Sequence, residues 1–342
     1  MKALVKYAQG KDNMEIREVT TPENRDDEVL IEVKSAGICG TDLHIQEGTF
    51  PVNAPVTVGH EFSGIIAQKG SEVADWNVGD RVTSETHAYT CGKCHYCLSG
   101  HYNQCPHRKG FGYGLDGGFA TYVATKARLL HRLPDDVSFD EAALSSPSAD
   151  MIHAVICNTN IQPLSRVAII GPGPMGLIGV QLAKISGADR VFAIGRSALR
   201  LNKAAELGAD MTVNPSDEDP TQRILKETSG EGVDVVLECS GSETGAQQAV
   251  EIVRRLGQIT LIGIQNAQVP LDLNKILFKE VSIKGSASNT WIDWERALKF
   301  MSRRELRSDL LITHKLPLRD WEEGFRLARE RKAIKVVLHP ED

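Results

Sequence analysis

The 342-residue chain has no apolar run near the roughly 18 residues that a membrane-spanning helix needs. Its first residues, MKALVKYAQG, lack the apolar stretch of a secretion signal. It has no basic block, and its net charge of −6 argues against a nucleic-acid-binding surface. Internal repeats and low-complexity segments are absent too. These absences predict a soluble, cytoplasmic protein whose partners are small molecules, with no nucleic acid and no membrane. A disulfide framework is also unexpected, because the seven cysteines sit in a long chain without a secretion signal. What remains is an ordinary globular composition, 41% hydrophobic and 25% charged. At about 100–200 residues per domain, the length predicts two domains.

Four of the cysteines are close together. Cys91, Cys94, Cys97 and Cys105 follow the spacing C-x2-C-x2-C-x7-C. Four thiolates this near in sequence can close a tetrahedron around one zinc ion. Such a site has no open position, so it predicts a structural metal. With that metal saturated, His95, His101 and His107 read as solvated neighbours. Cys157 and Cys239 lie in apolar runs and read as small buried hydrophobes.

The first part of the chain reads as β, with short apolar runs punctuated by Gly, Pro and Asp. From about Phe139 a helical pattern begins, and it predicts a helix continuing through Met151 to Cys157. Strands and helices then alternate. Strands are expected at Arg166 to Ile170, Arg190 to Ile194, Val233 to Leu237 and Gln258 to Ile262. Helices are expected at Pro174 to Ser186, Ser197 to Leu207 and Thr244 to Leu256. This alternation predicts an α/β domain with a doubly wound parallel sheet covered by helices on both faces. The C-terminal strand, Ile334 to Leu338, is expected to return to the first domain.

The first of these strands runs into Gly171-Pro172-Gly173-Pro174-Met175-Gly176. This is G-x-G-x-x-G between a strand and a helix, the context that makes it a dinucleotide loop. The glycines admit a pyrophosphate close to the backbone, and the helix N-terminus supplies free N–H groups. At the end of the second strand, an NAD site carries Asp or Glu for the ribose 2′-hydroxyl. Here Gly195 is followed by Arg196 and Ser197, with Arg200 one turn later. Without the carboxylate, a 2′-phosphate is not repelled, and a guanidinium can pair with it through two hydrogen bonds. The loop therefore predicts NADP(H) in preference to NAD(H).

Two short segments suggest a second metal: Cys39-Gly40-Thr41-Asp42-Leu43-His44 and Gly59-His60-Glu61. Cys39 and His60 are ligand types that zinc accepts, and catalytic zinc takes three protein ligands with one position open. With Gly37-Ile38-Cys39-Gly40-Thr41-Asp42, Gly59-His60-Glu61, the four-cysteine lobe and the nucleotide loop in this order, the chain resembles the zinc-dependent medium-chain dehydrogenases/reductases. The resemblance is to the alcohol, polyol and threonine dehydrogenase kind and extends through the chain. It implies a GroES-like β-barrel catalytic domain at 1–150 and 285–342, split by a Rossmann domain at 151–284. It also implies a catalytic zinc on Cys39 and His60 with Glu61 on or beside the metal. By the same match, Thr41 contacts the substrate oxygen, His44 passes its proton to solvent, and Asp42 orients the His60 ring.

The sequence departs from the family at Leu144-Ser145-Ser146-Pro147-Ser148-Ala149-Asp150. Ser146 stands where polyol-type members place a glutamate before proline, and a neutral serine is a poor zinc ligand. Glu61 could bind the metal directly, Asp150 could reach it, or water could complete the site. His153 reads as packed or close to the cofactor. Trp291 and Trp294 read as core or interface residues. The glycine-rich Phe111 to Phe119 reads as a mobile loop bordering the substrate site or as a plain connection. The expected activity is hydride transfer between NADP(H) and a secondary alcohol, such as a polyol, sugar or related small polar molecule. The alternatives are an NAD-dependent threonine-type amino-alcohol dehydrogenase and a non-catalytic nucleotide-binding scaffold. The resemblance also implies a homo-oligomer, dimer or tetramer.

Overall fold

The computed structural model describes residues 1–265 and 267–340. They form two units. The first comprises Met1–Ser146, Thr290–Arg303 and the residues from Ser308 onward; the second comprises Pro147–Asn289 and Arg304–Arg307. No helix among the described residues is long and apolar enough to cross a membrane.

The first unit is built on a seven-stranded sheet. Its order is Ile312–Pro317, Lys335–His339, Glu28–Gly37, Glu61–Lys69, Arg81–Ser84 and Leu130–Arg132, with Tyr122–Lys126 also pairing with Glu28–Gly37. A smaller sheet joins Met14–Glu18, Lys2–Lys6 and Val56–Thr57. Alternation places Val29, Ile31 and Val33 in one core with Phe62, Phe119, Phe325 and Leu338. The C-terminal strand docks against Glu28–Gly37, with Val337 opposite Gly37. That pairing brings Lys335 beside the start of the Glu61–Lys69 strand.

The second unit is the α/β domain that the alternation predicts. Its six strands lie in the order Met211–Val213, Arg190–Ile194, Arg166–Ile170, Val233–Glu238, Val253–Leu261 and Ser282–Gly285, all parallel. The interior strands are almost wholly buried, which is why they read as continuous apolar runs. Arg166–Ile170 has its successor Arg190–Ile194 on one side and Val233–Glu238 on the other. The strand order therefore reverses at its carboxyl end, where this class of sheet binds ligands and where Gly171 begins the glycine loop.

Three expectations need correction. Cys157, expected to be a small buried hydrophobe, is exposed, because it ends the π-helical turn at the surface. The helix expected over Thr244 to Leu256 stops at Ile252, and Val253 already begins a strand that runs to Leu261. Val250, Ile252 and Val253 are all buried, so the apolar pattern continued across the change of element and concealed it. The single helix expected from about Phe139 to Cys157 is three segments: Phe139–Ala143, Ser145–Ile152 and a π-helical turn at His153–Cys157. Ser138 and Glu141 form a capping box on the first segment. Pro147 lies in the first turn of the second, where its missing N–H has no helical acceptor to lose.

Candidate functional site

In the first unit, Cys39 is the N-cap of the helix Gly40–Glu47. The Asp42 carboxylate accepts the Cys39 backbone N–H through Oδ2 at 2.8 Å. Its other oxygen faces His60 Nδ1 at 3.5 Å, and both residues are buried. Asp42 therefore binds the helix start to the imidazole. A proton on Nδ1 toward Asp42 leaves the Nε2 lone pair for a metal. Burial opposes charging His60, but the Asp42 carboxylate and the Cys39 thiol outweigh it and raise its pKa well above the usual imidazole value.

Ligand atoms of Cys39, His60 and Glu61 lie within 4.8 Å of one another. The set joins a thiol, an imidazole and a carboxylate, which suits zinc with one position left open. One oxygen of Glu61 is held by the ammonium of Lys335, and each of these side chains is only 2% exposed. Gly37 makes room for that pair, because a Cβ there would stand 2.4 Å from Glu61 Oε2 and 2.9 Å from Lys335 Cε. Thr41 Oγ1 is 3.8 Å from the Cys39 sulfur. His44 is partly exposed on the same helix, with Nδ1 3.4 Å from Thr49 Oγ1.

The glycine-rich segment Phe111 to Phe119, expected to be a mobile loop bordering the substrate site or a plain connection, packs against the backbone of Thr57 to Gly59. Gly117 N donates to Thr57 O at 2.8 Å, and Gly118 N donates to Gly59 O at 2.9 Å. A Cβ on Gly117 would fall 1.9 Å from Gly59 O, so only glycine lets the two backbones approach this closely.

Ser146 is buried, and its hydroxyl meets that of Thr86 at 2.9 Å. Asp150 belongs to the second unit, where its carboxylate accepts Asn289 Nδ2 at 2.6 Å. The sequence reading missed Lys335 and Thr86. Lys335 did carry a signal, as a lone cation beside Ile334 in an otherwise apolar strand. Thr86 carried none.

The four-cysteine lobe holds its ligand atoms within 4.8 Å of one another, with the Cys91 and Cys97 sulfurs 3.9 Å apart. Zn–S bonds of about 2.3 Å around a tetrahedron put sulfurs roughly 3.8 Å apart, so the cage fits zinc. The backbone N–H of Lys93 pulls the Cys91 thiol down to about 6, while desolvation and the neighbouring Cys94 push Cys97 up to about 12. Four thiols this crowded resist losing their protons together unless a cation offsets the charge. His95, His101 and His107 are exposed around it.

In the second unit, Gly171 has φ +89°, and a Cβ there would meet Ser240 at 2.7 Å. Gly173 caps the helix Pro174–Ile185, with Pro174 in its first turn and Met175 and Gly176 following. A Cβ on Gly173 would lie 3.8 Å from Arg200 Nη1, so this guanidinium stands beside the loop. At Gly195 a Cβ would strike Pro172 Cδ at 2.5 Å. Arg196 is exposed, and Ser197 caps the helix Ala198–Glu206.

Two family models match the chain: an alcohol dehydrogenase GroES-like domain at residues 25–135 and a zinc-binding dehydrogenase at residues 174–303. A sorbitol dehydrogenase of Halalkalibacterium halodurans is 41% identical over 100% of both chains. The chain belongs to the zinc-dependent medium-chain dehydrogenases. It is an alcohol/polyol-type dehydrogenase with a GroES-like domain and a Rossmann domain. An L-threonine 3-dehydrogenase of Bacillus velezensis is also similar, 36% identical over 99% of both chains. Among solved structures, a zinc-binding dehydrogenase of Sinorhizobium meliloti bound to NADP has a TM-score of 0.94 and 33% identity, covering 99% of both chains.

Proposed function

We propose that this dehydrogenase transfers a hydride between a secondary alcohol, of the polyol or sugar kind, and NADP(H). The observation that carries the alcohol chemistry is the Cys39–His60–Glu61 cluster, with His60 and Glu61 buried and Asp42 behind the imidazole. A zinc ion held there by Cys39, His60 and Glu61 would polarise a hydroxyl or carbonyl oxygen, and the nicotinamide would carry the redox step. The chain's own groups do the rest. Asp42 fixes the ring of His60. Lys335 anchors one oxygen of Glu61. Thr41, two residues from Cys39, offers a hydroxyl to the substrate oxygen, and His44 carries the released proton to solvent. Ser146, bonded to Thr86, leaves the metal one protein carboxylate poorer than in polyol-type members, and water would complete the set.

The end of the Arg190–Ile194 strand supports NADP(H). Pro172 closes the space beside Gly195, so the acidic side chain that an NAD site needs has no room there. Arg196 and Arg200 supply the cations for a 2′-phosphate. The relative bound to NADP supports the same reading.

The second unit also supports a homo-oligomer. On and near the helix Leu273–Lys279, Leu273, Leu277, Phe278 and Ile264 are 66–73% exposed. The neighbouring strand Ser282–Gly285 ends the sheet with an unpaired edge among the described residues. A second copy would cover both.

The test is a screen of polyols, sugars, hydroxy acids and amino alcohols with each cofactor, together with metal analysis. We expect about two zinc ions per chain and a higher kcat/KM with NADP. Arg196→Asp should reduce that preference by about tenfold or more. A wild-type preference for NAD sinks the cofactor reading, turnover of threonine alone sinks the polyol reading, and a single zinc without turnover favours a scaffold.

A further inference from the structure

The hydroxyl of Tyr102 connects three parts of the first unit. Tyr102 begins the turn Tyr102–Gln104, inside the four-cysteine loop, and its carbonyl accepts the Cys105 N–H at 3.0 Å. Its own hydroxyl donates to Glu85 Oε2 at 2.8 Å. The same oxygen accepts the backbone N–H of Trp291, the first residue of the helix Trp291–Ser302. The N–H of a first helical residue has no partner within its own helix. Here that partner comes from the metal lobe, far away in sequence.

The surroundings make the connection specific. Glu85 is buried at the end of the Arg81–Ser84 strand. His131 Nε2 lies 4.0 Å from its other oxygen, and the His131 ring stacks on Trp294 at 5.5 Å and 8°. His131 Nδ1 in turn meets Glu295 at 2.5 Å. Trp294 is fully buried, whereas Trp291 and Ile292 are 47% and 46% exposed. The first turn of this helix thus presents two large apolar side chains to the surface, and the Tyr102 oxygen links it to the cysteine loop.

We propose that Tyr102 is a positioning residue through which the four-cysteine lobe holds the first turn of the Trp291–Ser302 helix in place. The N–H of Trp291 donates to the Tyr102 oxygen, and the Tyr102 O–H donates to Glu85. Each donor polarises the next, and a carboxylate at the end strengthens both bonds. An empty lobe frees Tyr102 and with it Trp291. The chain also responds to protons. Glu85 faces Tyr102, His131, Arg128 and Asp293, and burial pushes its carboxyl up to about 7 against the pull of the Tyr102 hydroxyl. Protonating Glu85 removes the charge that strengthens the bond.

The test is amide hydrogen exchange at Trp291 in the full-length protein, for wild type, Tyr102→Phe, Cys97→Ser and the double variant, with zinc content measured for each. Tyr102→Phe and Cys97→Ser should each speed Trp291 exchange about tenfold, and the double variant should exchange no faster than either single one. Should Cys97→Ser not fold, wild type stripped of lobe zinc by a chelator takes its place. A second measurement follows pH. After correction for intrinsic exchange, Trp291 protection should fall as pH drops through about 7 in wild type and stay flat in Tyr102→Phe and Glu85→Gln. Multiplied effects in the double variant, wild-type exchange in zinc-depleted lobe, or a pH response that survives Tyr102→Phe would each overturn the proposal.

Discussion

The two clusters of side chains suited to a metal are built in opposite ways. The lobe draws all four ligands from Cys91 to Cys105, a single loop of turns with mostly exposed neighbours. The other cluster takes Cys39 from a helix start and His60 and Glu61 from the head of a strand, and the surrounding core supports it. Asp42 braces the imidazole, the glycine loop backs Gly59, and Lys335 anchors Glu61. Loop geometry alone brings the lobe's ligands together, whereas the other cluster exists only once the first unit has packed. A metal in the lobe would therefore staple a loop. Cys39, His60 and Glu61 would hold a metal in a pre-shaped, largely buried place, where its charge would polarise a substrate oxygen.

The largest expected difference comes from removing one sulfur from each cluster. Cys39→Ala should lower kcat/KM by about a thousandfold or more while leaving thermal unfolding nearly unchanged. Cys97→Ala should release one zinc and lower Tm by about 5 °C or more, with kcat/KM of the folded protein within roughly fivefold of wild type. Equal losses of activity in the two folded variants would break the comparison.

Next in size is the buried ion pair. In the zinc-free protein, Lys335→Met leaves the Glu61 charge unpaired in a site only 2% exposed, at a cost of about 3–5 kcal/mol in denaturant unfolding. Adding Glu61→Gln to that variant should recover at least half of the loss. If it recovers nothing, Lys335 acts through packing and not through charge.

The smallest effect belongs to Glu85, the buried carboxylate on the lobe side, which has a tyrosine hydroxyl as donor where Glu61 has a lysine. Burial raises its folded pKa to about 7. Since this lies above the unfolded value, the stabilisation is complete below about pH 4 and is lost as pH rises through about 7. Between pH 5 and pH 8 wild type should therefore lose stability relative to Glu85→Gln, by on the order of 3 kcal/mol at most. Parallel pH profiles for the two proteins would show that Glu85 does not titrate in this range.

Much of the molecule was legible from the chain alone, for a physical reason. The cysteine spacing and the strand–glycine–helix order at Gly171 are local patterns. Backbone geometry over a few residues decides what they can do. The limits of the Thr244 helix were not legible, because the same apolar residues satisfy a buried helix and a buried strand, and the sheet decides between them.

By itself, then, the sequence determined the family, the two-domain class, the four-cysteine cage and the nucleotide loop. Only tertiary structure brought Lys335 to Glu61, Thr86 to Ser146 and Tyr102 to Trp291. Those partners lie far apart along the chain, and no local preference joins them. Burial does, because a charge or polar group taken from water needs a partner wherever the fold supplies one.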